Sequence, residues 1–202
     1  MERGQEFFDR EAPEWDKKRN TDPDKLKFLL SLAELPNRGK ILDVGCGTGL
    51  LTEYILQFAG NGTLTLEDVD YSAGMIAVAK AKFSGRENVR FICADIRQLN
   101  LQSQEYDFII SLNFFPHLTS LTDKKNYLRK GYEALKPGGK LVIMHDISRE
   151  KVNGIHEHKP ETFNDKLPSA HDTGVLLIQA GFKEVVGIED DYIFFVRGCK
   201  YK

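Results

Sequence analysis

The sequence predicts an α/β protein with a Rossmann-like, doubly wound sheet of seven strands, which is mixed because one strand is antiparallel. Between about residues 25 and 147, short apolar runs of strand character alternate with segments of helical periodicity. Strands separated by helices of this length form parallel βαβ units. Near the C-terminus, two further strand patterns are separated by only two residues, and a link that short joins antiparallel strands.

The length and composition are those of one globular domain. The chain has 202 residues, of which 41% are hydrophobic and 29% are charged. We therefore expect a single domain over residues 1–202. Within it, we expect residues 1–22 to form a helical lid and residues 148–171 to form an insertion over the ligand site.

The net charge and the cysteine content limit the classes of binding partner and the cellular compartments that we expect. Lys and Arg total 28 against 30 for Asp and Glu, and this balance argues against broad electrostatic binding to nucleic acid or to a membrane surface. Three cysteines, none in a C-x-x-C pair, argue against a disulfide framework, so we expect a cytoplasmic protein. The most apolar run, residues 26–35, is too short and polar to span a bilayer.

The elements follow from capping residues and periodicity. The first 20 residues, which include Phe7, Phe8 and Trp15, predict an amphipathic helix outside the βαβ series. Asp22 is the predicted N-cap of a helix over residues 23–35, with Pro23 in its first turn. Further helices are predicted at 50–58, 72–83 and 122–135, and five parallel strands at 40–44, 63–69, 89–94, 106–112 and 140–146.

The last quarter of the chain has a different pattern. Residues 148–171 are polar and rich in His, Pro and Asn, and we expect a loop or a short cap there. A helix is predicted at 172–180, ending at Gly181, with strands at 182–189 and 192–197. Asp190 and Asp191 form the predicted two-residue link between these strands.

A glycine-rich turn closes the first predicted strand. It reads Asp43-Val44-Gly45-Cys46-Gly47-Thr48-Gly49. Glycines at a strand-to-helix turn allow positive φ and let a ligand approach the backbone. A tight turn without a ligand is the alternative, but three alternating glycines are more than such a turn requires.

Two acidic residues near this turn help to choose the ligand. Asp43 lies two residues before Gly45, where its charge is unfavourable for a pyrophosphate and favourable for an ammonium or sulfonium group. Asp70 ends the second predicted strand, where a carboxylate can accept hydrogen bonds from both hydroxyls of a ribose. Asp43 therefore favours S-adenosylmethionine over NAD. Asp70 indicates a nucleoside but does not distinguish these two ligands, and helix capping is its alternative role.

The glycine-rich turn is the first of five matches to one family. Residues 41–52 resemble the first signature of class I S-adenosylmethionine-dependent methyltransferases, and residues 69–75, 93–96, 106–111 and 135–141 resemble later signatures in the same order. Five ordered matches are more specific than any one of them. The pattern is similar to that of small-molecule methylases, near the quinone-type C-methylases. The resemblance implies S-adenosyl-L-methionine as cofactor and S-adenosyl-L-homocysteine as product.

The resemblance also implies a set of cofactor-binding residues. Tyr71 and Met75 would flank the adenine, and Asp95 would accept a hydrogen bond from its amino group. Ile96 would lie beside the ring, and the backbone at Ser111 would face the amino group of the methionine. The full set is Asp43, Gly45, Cys46, Gly47, Gly49, Asp70, Tyr71, Met75, Asp95, Ile96 and Ser111.

Histidines that follow the fourth and fifth strands are the candidate catalytic residues. His117 and His145 lie at the carboxyl edge of the predicted sheet, where open α/β sheets bind ligands. Either imidazole could act as a base if the acceptor carries a proton at working pH, and a hydrogen-bonded structural histidine is the alternative. His156 and His158 have a metal-binding spacing, but no carboxylate or cysteine completes a set, so we expect no metal.

We therefore expect direct in-line methyl transfer from S-adenosylmethionine to a small-molecule acceptor. The expected partners are that acceptor and no nucleic acid or membrane, and the protein is expected to be a monomer or a homodimer. A non-catalytic regulatory module that binds S-adenosylmethionine is one alternative. An NAD(P)-dependent oxidoreductase is another, although the chain lacks the G-x-G-x-x-G spacing of that class.

Overall fold

The computed structural model describes residues 2–60, 62–158 and 165–201, and its centre is one sheet in the strand order β3-β2-β1-β4-β5-β7-β6. Strands β1 to β5 pair in parallel, and β7 is antiparallel to both of its neighbours, β5 and β6. The predicted seven-stranded mixed sheet is confirmed. The strands are β1 (Arg38–Val44), β2 (Thr63–Asp70), β3 (Val89–Cys93), β4 (Tyr106–Leu112), β5 (Leu135–His145), β6 (Lys183–Glu189) and β7 (Phe194–Cys199).

Helices cover both faces of the sheet. Several begin at side-chain caps: Asp22 accepts hydrogen bonds from the backbone of Asp24 and Lys25, and Ser72 accepts one from Met75. Among the helices of the described residues, none has the length and apolar character needed to cross a membrane. They are α1 (Glu2–Glu11), α2 (Trp15–Lys18), α3 (Pro23–Ala33), α4 (Leu50–Ala59), α5 (Ala73–Lys82), α6 (Leu121–Ala134), α7 (Arg149–Glu157) and α8 (Ala170–Gln179).

The alternation of side chains along the strands divides the core into two apolar clusters. Ile41 in β1 and Phe108 in β4 pack into a cluster that includes residues of α3 and α4. Their neighbours Leu42 and Ile109 belong to a second cluster, which includes residues of α6 and α8. Each cluster fills one face of the sheet, as the two-residue period of a strand buried on both sides requires.

The N-terminal region differs in detail from the single helix that was predicted. Helices α1 and α2 are separated by a 3₁₀ turn over Ala12–Glu14, which contains Pro13. Proline has no backbone N–H and clashes with the preceding turn, so a continuous α-helix is interrupted at this point. The region packs on α5, since Asp9 accepts hydrogen bonds from Ser72 Oγ (2.6 Å) and Gly74 N (2.9 Å).

The C-terminal quarter contains two corrections. The predicted polar loop includes helix α7, which begins at the cap Ser148 and buries Val152. The predicted two-residue link between the last strands is a four-residue turn from Asp190 to Ile193, in which Asp190 Oδ1 accepts hydrogen bonds from Tyr192 N and Ile193 N. Asp190 therefore stabilises the longer turn through its own side chain.

Candidate functional site

A cavity of about 790 Å³ lies at the carboxyl edge of the sheet. Val44, Val69 and Leu112, at the ends of β1, β2 and β4, line it from the sheet side. Phe8 and Trp15 line it from the N-terminal helices, and α7 contributes further residues. This is the position at which open α/β sheets bind ligands.

The glycine-rich turn borders the cavity through Gly45, Cys46 and Gly47. Gly45 has a φ of 75°, and a Cβ there would lie 2.6 Å from the ring of Phe114, so Gly45 permits a close internal contact. Gly47 has a φ of 55°, and a Cβ there would meet no protein atom within 4 Å. Gly47 therefore presents bare backbone to open space on the side of the cavity.

Asp70 anchors the turn and also lines the cavity. Its Oδ2 accepts a hydrogen bond from Gly47 N (2.9 Å), and its Oδ1 accepts one from Ser72 N (2.9 Å). Burial raises the pKa of this carboxyl, and the two backbone donors oppose that effect. A carboxylate has about four acceptor positions, so two remain for a ligand that carries paired hydroxyls.

Asp43 lies deeper than Asp70. It is 1% exposed, does not line the cavity, and neither carboxylate oxygen has a hydrogen-bond partner among the described residues. Burial and the charges of Asp68 and Asp70 raise its pKa, and the positive charge of Arg19 lowers it. Asp43 therefore lies behind the residues that line the cavity.

Four residues with implied adenine or loop roles also line the cavity: Cys46, Tyr71, Met75 and Ile96. Asp95 lines it too, but its carboxylate already accepts hydrogen bonds from Arg97, including Nε at 2.9 Å and Nη2 at 2.5 Å. Burial raises the pKa of Asp95, but the contacts with Arg97 outweigh it and hold the pKa below its usual value. A ligand amino group would therefore share this carboxylate with Arg97.

Besides Asp43, two residues of the implied set do not line the cavity. Gly49 is the N-cap of α4 with a φ of 82°, and a Cβ there would lie 2.6 Å from Phe83. Ser111 is fully buried near the end of β4. Gly49 therefore belongs to the part of the glycine-rich turn behind the cavity, and Ser111 to the strand behind it.

His145 is also outside the lining of the cavity. It is 1% exposed, its ring packs edge-on against Phe194 at 5.7 Å, and its Nε2 has no hydrogen-bond partner in the described part of the chain. Burial, with smaller effects of His117 and His156, lowers the pKa of His145 to about 3. The side chain is therefore neutral in the folded protein and does not contact the space that a ligand can fill.

The buried imidazole of His145 predicts a loss of stability at mildly acidic pH. In the unfolded chain His145 takes up a proton near pH 6.5, whereas in the fold it does so only near pH 3. Its contribution to stability is therefore complete above pH 6.5 and falls as the pH decreases toward 3, by about 2 kcal/mol between pH 7 and pH 5. Urea denaturation at both pH values should show this loss in the wild type, and His145→Gln should lack it. An equal pH dependence in both proteins would contradict the assignment.

His117 does line the cavity, at the end of a 3₁₀ turn that follows β4. Its Nδ1 lies 2.5 Å from Oδ2 of Asp165, and its ring packs edge-on against Phe8 at 5.5 Å. His156, expected to lie in a solvated loop, lies with its ring 5.3 Å from that of His117 and lines the cavity as well. The structure thus brings His117, His156 and Asp165 together. The sequence had indicated His117 as a candidate base, His156 only for its spacing from His158, and Asp165 not at all.

Arg19 is a second residue that the sequence did not single out. It lines the cavity, its side chain is 22% exposed, and its Nη2 makes no hydrogen bond within the described ranges. The nearest paired acid is Asp146, at 3.9 Å. Burial lowers the pKa of Arg19, and the charges of Asp146, Asp16 and Asp43 oppose this effect. A mostly buried cation without a close partner favours an anionic group on the ligand.

Comparison with known proteins identifies a family and a fold that this chain resembles. Residues 41–139 match the model of a family described as a methyltransferase domain. Malonyl-[acyl-carrier protein] O-methyltransferase of Priestia megaterium is 40% identical over 103 residues, which are 51% of this chain and 35% of that protein. Ubiquinone/menaquinone biosynthesis C-methyltransferase of Campylobacter jejuni is 33% identical over 133 residues, which are 64% of this chain and 54% of that protein. The chain thus spans about half the length, or less, of these curated relatives.

A solved structure shows the same architecture. Phosphoethanolamine N-methyltransferase 2 of Haemonchus contortus, in complex with phosphomonomethylethanolamine and S-adenosylhomocysteine, superposes with a TM-score of 0.75. The superposition covers 95% of this chain and 56% of that chain at 17% sequence identity. At this identity the similarity concerns the fold.

Proposed function

We propose that this chain is an S-adenosylmethionine-dependent methyltransferase, and that it transfers the methyl group of S-adenosylmethionine to a small-molecule acceptor in the cavity. One observation supports this proposal most strongly. Gly47 exposes its backbone to the cavity without a side chain, and the carboxylate of Asp70 lines the same cavity. The similar proteins are named for malonyl-[acyl-carrier protein], for ubiquinone/menaquinone biosynthesis and for phosphoethanolamine, so their names do not select one acceptor.

The residues present fit this cofactor. Asp70 has acceptor capacity left for the two ribose hydroxyls, and Tyr71, Met75 and Ile96 provide an apolar surface for the adenine. Arg19 offers an unpartnered guanidinium nitrogen for the methionine carboxylate. When bound, the cofactor supplies a methyl group that is activated by a positively charged sulfur.

The remaining task of the protein is to orient the acceptor and to exclude water. Phe8 contacts the rings of Trp15 and Tyr71 at 5.5 and 6.2 Å, so the N-terminal helices place an aromatic surface over the cavity. Asp16 ties the same region to the rest of the fold by accepting hydrogen bonds from Thr48 and Lys82. We infer that residues 1–22 act as the lid of the site, together with residues of the 148–171 insertion.

Replacement of Gly47 by Ala should weaken cofactor binding far more than it weakens the fold. The left-handed φ of 55° costs an alanine about 1–2 kcal/mol, and its methyl group would stand where the ligand approaches. Gly85→Ala is the matched control, because Gly85 has a φ of 82°, an equally open Cβ position and no place in the cavity lining. Calorimetric titration with S-adenosylhomocysteine should show reduced affinity for Gly47→Ala and unchanged affinity for Gly85→Ala. Equal affinities in the two variants would contradict the proposed contact between the ligand and the backbone at Gly47.

Arg19→Gln should reduce the affinity for S-adenosylhomocysteine about tenfold, which corresponds to the loss of one hydrogen bond to a charged group, about 1.5 kcal/mol. The affinity for 5′-methylthioadenosine, which lacks the amino acid part, should not change. Both nucleosides are titrated into the wild type and the variant, which separates a lost contact with the carboxylate from a general change in the cavity. A similar loss for both would show that Arg19 acts on the fold of the cavity and not on the carboxylate.

The experiment that tests the proposed reaction is a transfer assay with S-adenosylmethionine labelled in its methyl group. The protein is incubated with fractionated metabolite extracts, and labelled products are identified by mass spectrometry. Methyl transfer predicts a labelled small molecule that is absent from the parallel reaction with Gly47→Ala. Tight binding of S-adenosylhomocysteine with no labelled product in any fraction would instead favour the regulatory module.

A further inference from the structure

The cluster of His117, His156 and Asp165 extends the proposal toward the acceptor. We propose that Asp165 is a positioning residue that holds His117 ready to accept a proton, and that the acceptor is therefore methylated on a hydroxyl group. This inference rests on the methyl transfer proposed above. It concerns how the acceptor is activated, which the residues around the cofactor do not decide.

The contact between Asp165 and His117 determines which nitrogen of the imidazole can take a proton. Asp165 is 6% exposed, and its Oδ2 lies 2.5 Å from Nδ1 of His117. An ionised carboxylate can only accept hydrogen bonds, so Nδ1 carries the proton and Nε2 keeps its lone pair. His117 lines the cavity, its side chain is 22% exposed, and the structure gives Nε2 no partner among the described residues. The lone pair is therefore available to a ligand.

Asp165 is itself held in place by α7. The backbone oxygen of Asp165 accepts a hydrogen bond from Nδ1 of His156 (2.9 Å). Two residues further on, Leu167 exchanges two hydrogen bonds with the side chain of Asn153, from Nδ2 to O at 3.1 Å and from N to Oδ1 at 2.8 Å. Three hydrogen bonds thus fix residues 165–167 against one helix, which keeps the carboxylate directed at His117.

Packing also holds the ring of His117 in place. The ring lies between Phe8, at 5.5 Å, and His156, at 5.3 Å. The nearest carboxylate is that of Asp165, and the neighbouring His156 donates from Nδ1 to the backbone oxygen of the same Asp165. The contacts around the ring therefore fix its orientation with Nδ1 toward Asp165.

This arrangement has a chemical use only if the acceptor must lose a proton. A carboxylate acceptor already has a free lone pair and needs no base, whereas a hydroxyl oxygen becomes a good nucleophile as its proton leaves. The atoms and electrons balance: the hydroxyl oxygen forms the new O–CH₃ bond, the electron pair of the broken C–S bond remains on sulfur, and the hydroxyl proton passes to Nε2 of His117. Among the acceptors that carry a proton, we commit to a phenol or an alcohol, and a product methylated on another kind of atom contradicts this choice.

The tautomer of His117 tests the inference without knowledge of the acceptor. Protein labelled with ¹⁵N-histidine and saturated with S-adenosylhomocysteine is studied by long-range ¹H–¹⁵N correlation spectroscopy at alkaline pH, where imidazoles are neutral. The spectrum of His117→Asn assigns the resonance. The expected result is that His117 carries its proton on Nδ1 in the wild type and that Asp165→Ala removes this preference. Asp172→Ala is the matched control, since Asp172 accepts a hydrogen bond from Ser169 Oγ at 2.7 Å and does not line the cavity.

The possible outcomes separate this inference from the proposed function. Protonation of Nε2 in the wild type, or an unchanged tautomer in Asp165→Ala, would overturn the role of Asp165 even if S-adenosylhomocysteine binds tightly. If Asp165→Ala does not fold, the wild-type tautomer alone decides. In the transfer assay, Asp165→Ala should lower kcat by about 10²-fold with little change in the KM of the acceptor. A product methylated on a hydroxyl oxygen supports the acceptor class, and one methylated on carbon, nitrogen or a carboxylate overturns it.

Discussion

His117→Asn should reduce kcat by about 10²–10⁴-fold, the range found when a general base is removed, and should leave the affinity for S-adenosylhomocysteine unchanged. Asparagine keeps a polar side chain of similar size but has no nitrogen that accepts a proton. The effect should appear in single-turnover measurements with the acceptor found in the transfer assay, because these separate the chemical step from product release.

His158→Asn is the control for this measurement. His158 is a neighbouring histidine at the end of α7, its Nδ1 lies 2.7 Å from the backbone oxygen of Gly154, and it does not line the cavity. We expect wild-type turnover for this variant. A His117→Asn enzyme with wild-type turnover would remove His117 from the mechanism.

Asp70→Ala should weaken the binding of S-adenosylhomocysteine by about 1.5–3 kcal/mol, the range for hydrogen bonds to a charged group. The carboxylate is the group best placed for the ribose hydroxyls, and it also holds Gly47 N at 2.9 Å. The variant therefore loses the direct contact and part of the order of the glycine-rich turn. Isothermal titration calorimetry measures the loss.

Asp190→Ala controls for the structural part of this effect. Asp190 also accepts hydrogen bonds from two backbone N–H groups, at 2.7 and 2.9 Å, but in the turn between β6 and β7. The Asp190→Ala substitution should reduce stability in urea and leave the dissociation constant for S-adenosylhomocysteine unaltered. A folded Asp70→Ala protein that binds S-adenosylhomocysteine as tightly as the wild type does would rule out the ribose role.

The features that could be predicted from the sequence are those with local causes. The turn after β1 is determined by its own glycines. The hydrogen bond from Ser72 N to Asp70, at the end of β2, joins residues only two positions apart. The parallel pairing of β1 to β5 follows from the alternation of helices and strands along the chain. The carboxyl edge of the sheet could be located from such signals, and eight of the eleven residues that the family resemblance implies line the cavity there.

The acceptor side depends on contacts between distant residues, which one sequence does not reveal. His117 and Asp165 are 48 positions apart. Arg19 follows Lys17 and Lys18, and nothing local distinguishes the cation that is buried from the two that are exposed. A signal for α7 was present, because Ser148 is a good N-cap and Val152 and Ile155 have helical spacing.

His145 and His117 show that a position at the end of a strand does not by itself place a side chain in the cavity. Both follow or end strands at the same edge, but β7 pairs antiparallel with β5 up to His145, whose register partner is Phe194. This pairing encloses His145, whereas His117 lies on a turn beyond β4 and reaches the cavity. The sequence could place both near the edge but could not tell which one the last strand covers.

The most direct test of the account is the ligand that the cavity prefers. Calorimetric titration of the full chain with S-adenosylhomocysteine, and separately with NADH, compares a sulfur nucleoside with a dinucleotide at the same turn. We expect one equivalent of S-adenosylhomocysteine to bind, with the affinity reduced in Asp70→Ala, and no binding of NADH. Binding of NADH in preference, or no heat with S-adenosylhomocysteine, would contradict the central claim that this cavity holds the cofactor of a methyltransferase.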